Sequence, residues 1–591
     1  MDRGLYCGNG GRTAQAMSSE ARCGDRDQGV AGGCGSTVQS TAGAYAIAAT
    51  GGGNNNDGGR GAGGASIAMS GGIEGAGIDW AREQGTGQPQ AAGTAVPGSS
   101  RPRWVFHRLR AGPRRTTWRR WFGVAATVLS VAAGTCWAAA WAGGSDQSAA
   151  LSEWSPCAAA NGAAGMQCAI LNVPLDWNLA ESAMAQVAVA RLPATGAHKL
   201  GVIVTNPGGP GISGIDDMAY SGNFWDRLRQ DFDIVTFDPR GVGASRPAIA
   251  LAGDELVAAV RNQPSIPRTE AQRRSRLEGT TRLVDAAQRG GVLGLVGTQE
   301  VARDLEALRV AMNVESIDYF GFSYGTYLGV VYADMFPGRT HRIVLDSAMN
   351  PANDYATLRH DQAVAFDRAI RAQFDAPEIQ RIQALIERLD ESPIVGEDGR
   401  VLSGLRLLNY VESAAYEPET SVPVLREVLA EASRGNWAPV IDAVHGPALL
   451  VNPADLPYLS VACHDLSTPT QVGDVAALAR AWTREAPLTG ASRAWSVLPC
   501  TVWPTRAAAP PHRMTAAGSG PTLVIGVAGD PATPPHWGRE LAATLVHGQY
   551  LQWAGAGHVA YGRAGEPLGT IVNDFFVSGR LPPAGLELPA D

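Results

Sequence analysis

Three residues with complementary chemistry stand far apart in this chain: a serine flanked by glycines, then an aspartate and a histidine, each just after a β-prone run. The serine is Ser323 in Gly321-Phe322-Ser323-Tyr324-Gly325, behind the run 316–320 and ahead of the helix-compatible stretch 326–334. A strand that turns sharply into a helix leaves no room for a Cβ near the turn, so glycines at −2 and +2 predict a nucleophile elbow. A serine hydroxyl is a weak nucleophile at neutral pH; it needs a base, and the base needs an orienting acid. Asp530 follows the run 523–525 and His558 follows the run 550–553, giving the order serine, acid, histidine. His536 and His464 are the rival bases, and Asp346, at the end of another run, is the rival acid. Acyl transfer builds negative charge on a carbonyl oxygen, so two backbone donors should face it. We assign them to the N–H of Tyr324 and the N–H of Gly209, the latter in the Gly/Pro-rich loop 206–211; the loop 238–243 is read as a structural turn.

The elements that must carry these residues follow from hydrophobic patterning. Short β-branched runs at 202–205, 234–237, 316–320, 343–345, 523–525 and 550–553 alternate with longer helical patterns. That alternation predicts an α/β fold, a mostly parallel central sheet flanked by helices. Each run is followed by Gly, Pro, Asp or Ser, which places the unusual turns at the carboxyl ends of strands, where such sheets bind ligands. From 352 to 519 amphipathic helices such as 378–389 and 424–432 replace the alternation. This stretch is expected to be a helical cap inserted between two parts of the sheet domain, 143–351 and 520–591.

Composition narrows the function classes. Acidic residues (56) outnumber basic ones (48), so no nucleic-acid partner is expected. Residues 1–100 are rich in glycine, lack any apolar period and are expected to be disordered. The stretch 101–120 is arginine-rich and leads into an uncharged apolar run, 121–142, ending Ala140-Trp141-Ala142. This pattern predicts an export signal, with Arg119-Arg120 resembling a twin-arginine pair; an uncleaved anchor is the alternative, and the run is the chain's one expected membrane contact. Export to an oxidising compartment would pair Cys157 with Cys168, leaving Cys463 for Cys500; four free thiols are the alternative. No spacing of Cys or His suggests a metal site.

Taken together the motifs resemble the α/β-hydrolase superfamily, and within it the secreted tripeptidyl-aminopeptidase-like branch of the prolyl aminopeptidase family. The resemblance is carried by Cys157 and Cys168 before Val173-Pro174-Leu175-Asp176, by the loops 206–211 and 238–243, and by Gly321–Thr326. Ala333-Asp334-Met335-Phe336-Pro337, Leu345-Asp346, Cys463-His464-Asp465, Asp530 with Thr533-Pro534, and Gly557-His558 extend it. It implies an α/β-hydrolase fold with an inserted cap, no metal or organic cofactor, and a serine exopeptidase that removes short peptides from a free N-terminus. Such an enzyme must hold the α-amino group of its peptide substrate, for which a buried carboxylate is suited. Asp465 is the first candidate, followed by Glu412, Glu417 and Glu419. Two departures concern the cap: no cysteine occurs near 374–377 or after 555, where the family often has them. The alternatives are an esterase using the same triad, since fold does not dictate substrate, and a non-catalytic binding protein on the same scaffold.

Overall fold

Alternation along the strands assigns the layers. In the run Val202-Ile203-Val204, the two valines join the apolar cluster on one face of the sheet and the isoleucine joins the cluster on the other. A strand covered on both faces reads as continuous apolar sequence. The computed structural model describes residues 149–157, 165–221, 223–249, 254–446 and 456–590. The segments 1–100 and 101–142, with the disorder and export expectations attached to them, lie outside the described residues.

The main strands are β1 (Gln167–Pro174), β2 (Met184–Leu192), β3 (Gly201–Asn206), β4 (Phe232–Phe237), β5 (Ile317–Phe322), β6 (Thr340–Asp346), β7 (Thr522–Gly529) and β8 (Gly548–Ala556). Their order across the sheet is β1-β2-β4-β3-β5-β6-β7-β8. β1 and β2 pair antiparallel, as do β2 and β4, and the remaining pairs are parallel. Every run read from the sequence falls in a strand, with Ser316 just outside. β1 and β2 escaped that reading for a physical reason. β1 carries Asn172 and Pro174 and buries only alternate residues, and β2 is alanine-rich, so neither has the β-branched density that marks a central strand.

The inserted stretch divides in two. Helices Tyr355–Gln373, Ala376–Glu391, Gly404–Ser413, Pro418–Ser433 and Trp437–His445 enclose their own apolar core around Phe366, Ile382, Leu407, Leu425 and Ile441. Helix Ala376–Glu391 starts where its sequence says it must. Asp375 accepts the Glu378 N–H at 2.7 Å and Glu378 reaches back to the Asp375 N–H at 2.8 Å, a reciprocal cap. By contrast, Leu459, Trp482 and Trp495, from the later helices Leu456–Asp465, Val475–Glu485 and Gly490–Trp495, belong to the cluster that covers the sheet. The expectation of helices without strands needs one correction. Ile394–Val395 and Val401–Leu402 form a small antiparallel ribbon across the tight turn that Gly399 permits at φ +81°.

Both cysteine pairs are joined, Cys157–Cys168 and Cys463–Cys500; the second ties helix Leu456–Asp465 to helix Leu498–Thr501. Among the described residues no helix is long and apolar enough to cross a membrane.

Candidate active site

β5 ends at Phe322 and helix Tyr324–Met335 starts two residues on, so a single residue, Ser323, turns the chain. It does so at φ +54° and ψ −125°, a conformation costly for any residue with a Cβ. The surroundings leave space for nothing else. A Cβ on Gly325 would lie 2.2 Å from the Asn206 carbonyl oxygen, and one on Gly321 would lie 2.4 Å from that of Gly325. Thr326 secures the turn: its N–H and hydroxyl both donate to the Ser323 carbonyl, at 2.9 and 2.5 Å, and the hydroxyl accepts the Met349 N–H at 2.9 Å. Within 321–330 only Ser323 is not fully buried, and it lines a cavity under the cap.

Asp530 sits in the turn that follows β7. Its carboxylate accepts the N–H groups of Ala532 and Thr533, each at 2.9 Å, and the Thr533 hydroxyl at 2.8 Å. The remaining partner is His558, whose Nδ1 stands 2.9 Å from each carboxylate oxygen. That leaves Nε2 as the nitrogen for a substrate or for Ser323, with which His558 shares the cavity wall. The histidine is placed from two sides. Gly557 before it, at φ +86°, would put a Cβ 2.4 Å from the Tyr416 carbonyl, and the His558 N–H donates to that same carbonyl at 2.9 Å. Arg563 grips the far side of the loop, donating to the carbonyls of Ala556, His558 and Val559 at 2.7–3.2 Å.

The rivals are otherwise engaged. Asp346, fully buried, accepts the N–H groups of Ala560 and Tyr561 at 3.0 and 2.7 Å, so it holds the loop after His558 rather than the imidazole; burial pushes its carboxyl up to about 6. His536 pairs with Asp361 at the surface, and His464 faces the Thr505 hydroxyl. In the 238–243 turn, Asp238 accepts from Ser213, Ile215 and Ala244, while buried Arg240 bonds Asp304 and the carbonyls of Leu175 and Leu295. Those side chains are structural.

The loop after β3 presses against the elbow. A Cβ on Gly208, at φ +101°, would lie 2.6 Å from the Phe322 carbonyl and 2.9 Å from the Tyr324 nitrogen. Gly209 and Tyr324 both line the cavity beside Ser323.

The four carboxylates considered as amine anchors separate clearly. Asp465 lines the cavity, is 3% exposed, and accepts the Thr298 N–H at 3.0 Å and the Thr298 hydroxyl, which also contacts the Tyr324 phenol. Burial pushes its carboxyl up to about 7 against the opposing pull of the Thr298 bonds, and no cation pairs with it among the described residues. Glu412 also lines the cavity, but Arg493 takes both its oxygens at 3.2 and 2.8 Å, so it is not a free anchor. Glu417 lies outside the cavity wall and bonds Thr420 where helix Pro418–Ser433 begins. Glu419 is exposed and paired with Arg563 at 2.9 Å. Thr298, Tyr416 and Arg563, and the cavity-lining Arg359, Gln362 and Arg493, have no mark in the sequence, and Thr533 entered only as part of the motif around Asp530. For Thr533 the signal was present, since a hydroxyl three residues after an aspartate at a turn is a local cap. The others come together only through folding.

Residues 201–384 match the family model described as alpha/beta hydrolase fold, and residues 486–587 match the one described as TAP-like protein. A tripeptidyl aminopeptidase of Streptomyces lividans is 29% identical over 464 residues, covering 72% of this chain and 84% of the relative. Serine protease Hip1 of Mycobacterium tuberculosis is 29% identical over 481 residues, covering 74% and 90%. Carboxylesterase B of the same species is 30% identical over 452 residues, covering 71% and 86%. With a serine at the strained elbow, a histidine in the same cavity wall hydrogen-bonded to an aspartate, and matches that cover most of each relative, the chain belongs to the α/β-hydrolase family, in its TAP-like branch, and is a serine hydrolase.

Proposed function

We propose that the protein is an exported exopeptidase that cleaves short peptides from a free N-terminus through an acyl-enzyme. The Ser323 hydroxyl attacks the scissile carbonyl while His558 Nε2 takes its proton, and Asp530 holds the imidazole by Nδ1–H. The oxyanion lies against the N–H groups of Gly209 and Tyr324. Collapse expels the leaving amine, which receives the proton from His558; water then attacks the ester with His558 again as base. The observation that carries the peptide reading is Asp465, a buried carboxylate in the cavity wall with no cationic partner among the described residues, suited to a substrate α-ammonium group. Export is supported by the two disulfides and by the arginine-rich and apolar segments at 101–142. N-terminal sequencing of protein recovered outside the cytoplasm should begin near Gly143; a start within 1–120 would reject a cleaved signal.

Mass spectrometry of products from a mixed peptide pool, run beside the same pool N-acetylated, tests the activity. Stepwise loss of short fragments from free N-termini, absent after acetylation, is the expected result, and internal cleavage in both pools would overturn it. The likeness to carboxylesterase B favours a second reading, ester hydrolysis by the same triad. Turnover of short-chain nitrophenyl esters with no amide cleavage would select it.

A further inference from the structure

The cavity over Ser323 adjoins a second chamber, and the two share Arg359, Asn409, Glu412 and Arg493 in their walls. The charges at this junction do not balance. Arg493 is spent on Glu412, through Nε and Nη2 at 3.2 and 2.8 Å, and lies over the Phe366 ring at 4.0 Å. Arg359, on helix Tyr355–Gln373, is 5% exposed and makes no ion pair among the described residues, the charge of Glu412 reaching it only from beyond ion-pair distance. Its Nε donates to the Ser496 hydroxyl at 2.7 Å and its Nη1 to the Gln362 carbonyl oxygen at 2.8 Å, which leaves Nη2 without an acceptor among the described residues. Gln362 serves both guanidinium groups, since Arg493 Nη1 reaches the same oxygen at 3.0 Å, and its amide is fixed on the Ala532 carbonyl at 2.8 Å. The second chamber adds to the imbalance. Arg276 lines it too; it donates to the Pro264 carbonyl and feels the charge of Asp390, while its Nε is buried with no acceptor among the described residues. Glu412, the acid in that wall, is already neutralised.

A buried guanidinium that keeps its charge without a counter-ion is costly to hold. Two such neutral-neighbour groups of opposite sign face the same cavity, Arg359 and Asp465, and they are held apart by separate hydrogen-bond partners. A ligand bearing both charges satisfies both. We propose that Arg359 is the anchor for a substrate carboxylate, with Arg276 and Arg493 supplying the positive surroundings. The carboxylate comes either from an acidic side chain of the peptide or from the free C-terminus of a short one. Only the choice of peptide as its source rests on the exopeptidase reading.

Four sets of matched substrates separate these sources: free-amine peptides with Glu or Gln at each of the first three positions, and short peptides ending in a carboxylate or a carboxamide. One set should show a preference of about tenfold or more in kcat/KM for the charged member, the scale of a charge-assisted hydrogen bond. Arg359→Gln should erase that preference, bringing the charged and neutral members of the pair to within about threefold of each other in kcat/KM. Equal turnover within every pair by the wild-type enzyme, or a preference that survives Arg359→Gln, would overturn the proposal. A second readout needs no turnover. Glutarate, but not glutaramide, should slow fluorophosphonate labelling of Ser323 in the wild-type protein, and equal labelling with both would overturn the site. If no peptide is cleaved, the exopeptidase reading fails and the labelling result still decides the anion site; Arg359→Lys, which keeps the charge, should retain protection should Arg359→Gln not fold.

Discussion

Of the titratable groups around the cavity, two aspartates are told apart by what else they hold. Asp530 spends its oxygens on its own turn and on His558, whereas Asp346 holds the backbone beyond the histidine. Asp530→Asn is therefore expected to lower kcat by about 10,000-fold with little loss of stability, because the imidazole loses its tautomer and orientation. Asp346→Asn should instead cost about 1–3 kcal/mol of stability, through unpaired backbone donors, with a smaller effect on kcat. Steady-state kinetics and urea unfolding of the two variants separate the roles. Asp465 makes a different prediction. Its carboxyl is pushed up to about 7 from an ordinary 3.8, so the folded state holds a proton that the unfolded chain releases. The stability this contributes is complete below about pH 4 and is lost as pH rises through about 7. Asp465→Asn lacks that loss, so its melting temperature relative to wild type should climb between pH 5 and pH 8. In the same variant KM for free-amine peptides should rise about tenfold or more, the worth of a charged hydrogen bond, while N-acetylated esters are unaffected.

Among the elements, the elbow depends on glycines whose role is space. Gly325→Ala would drive a methyl group to 2.2 Å from the Asn206 carbonyl and push the strand-to-helix turn off the loop behind it. A destabilisation of about 1–3 kcal/mol is expected, with slower fluorophosphonate labelling, because overpacking must be relieved by moving Ser323. The histidine loop depends on a contact from outside itself. Arg563 joins three of its carbonyls to Glu419 on helix Pro418–Ser433. Arg563→Met keeps the stem and removes the donors. A fall in kcat of about 10–100-fold with a lesser change in KM is expected, since a small displacement of a catalytic group is enough. An unchanged kcat would show that the Tyr416 carbonyl and Asp346 hold the loop alone.

Over the whole molecule, the cap and the sheet meet at the reacting groups rather than beside them. Tyr416 and Glu419 from the cap brace the histidine loop, Gln362 reaches the Asp530 turn through Ala532, and Asp465 hangs from the start of helix Thr298–Ala311. The Cys463–Cys500 bond, spanning 37 residues, fixes the helix that ends at Asp465. Cys500→Ser should lower stability by about 2–4 kcal/mol in guanidinium unfolding under non-reducing conditions, the range for a closed loop of this length. It should also raise KM for free-amine peptides more than for neutral esters, because the anchor loosens while the triad does not.

The elbow and six of the strands were legible along the chain, because each is written in local chemistry: a glycine spacing, an apolar run, a turn residue. Asp346 and Asp530 both lie between the serine and the histidine, so chain order does not separate them; the two backbone donors, of Ala560 and Tyr561, that Asp346 already holds are a fact of the fold. The anchor carboxylates were not separable from sequence. Glu412, Glu417, Glu419 and Asp465 look alike as letters, and only the fold puts Arg493 on the first, Arg563 on the third, the second outside the cavity and, among the described residues, no cation on the last. Arg359 was invisible for the same reason, since an arginine's charge state is known from its type, but that its bonds among the described residues go to neutral groups is a property of everything packed around it.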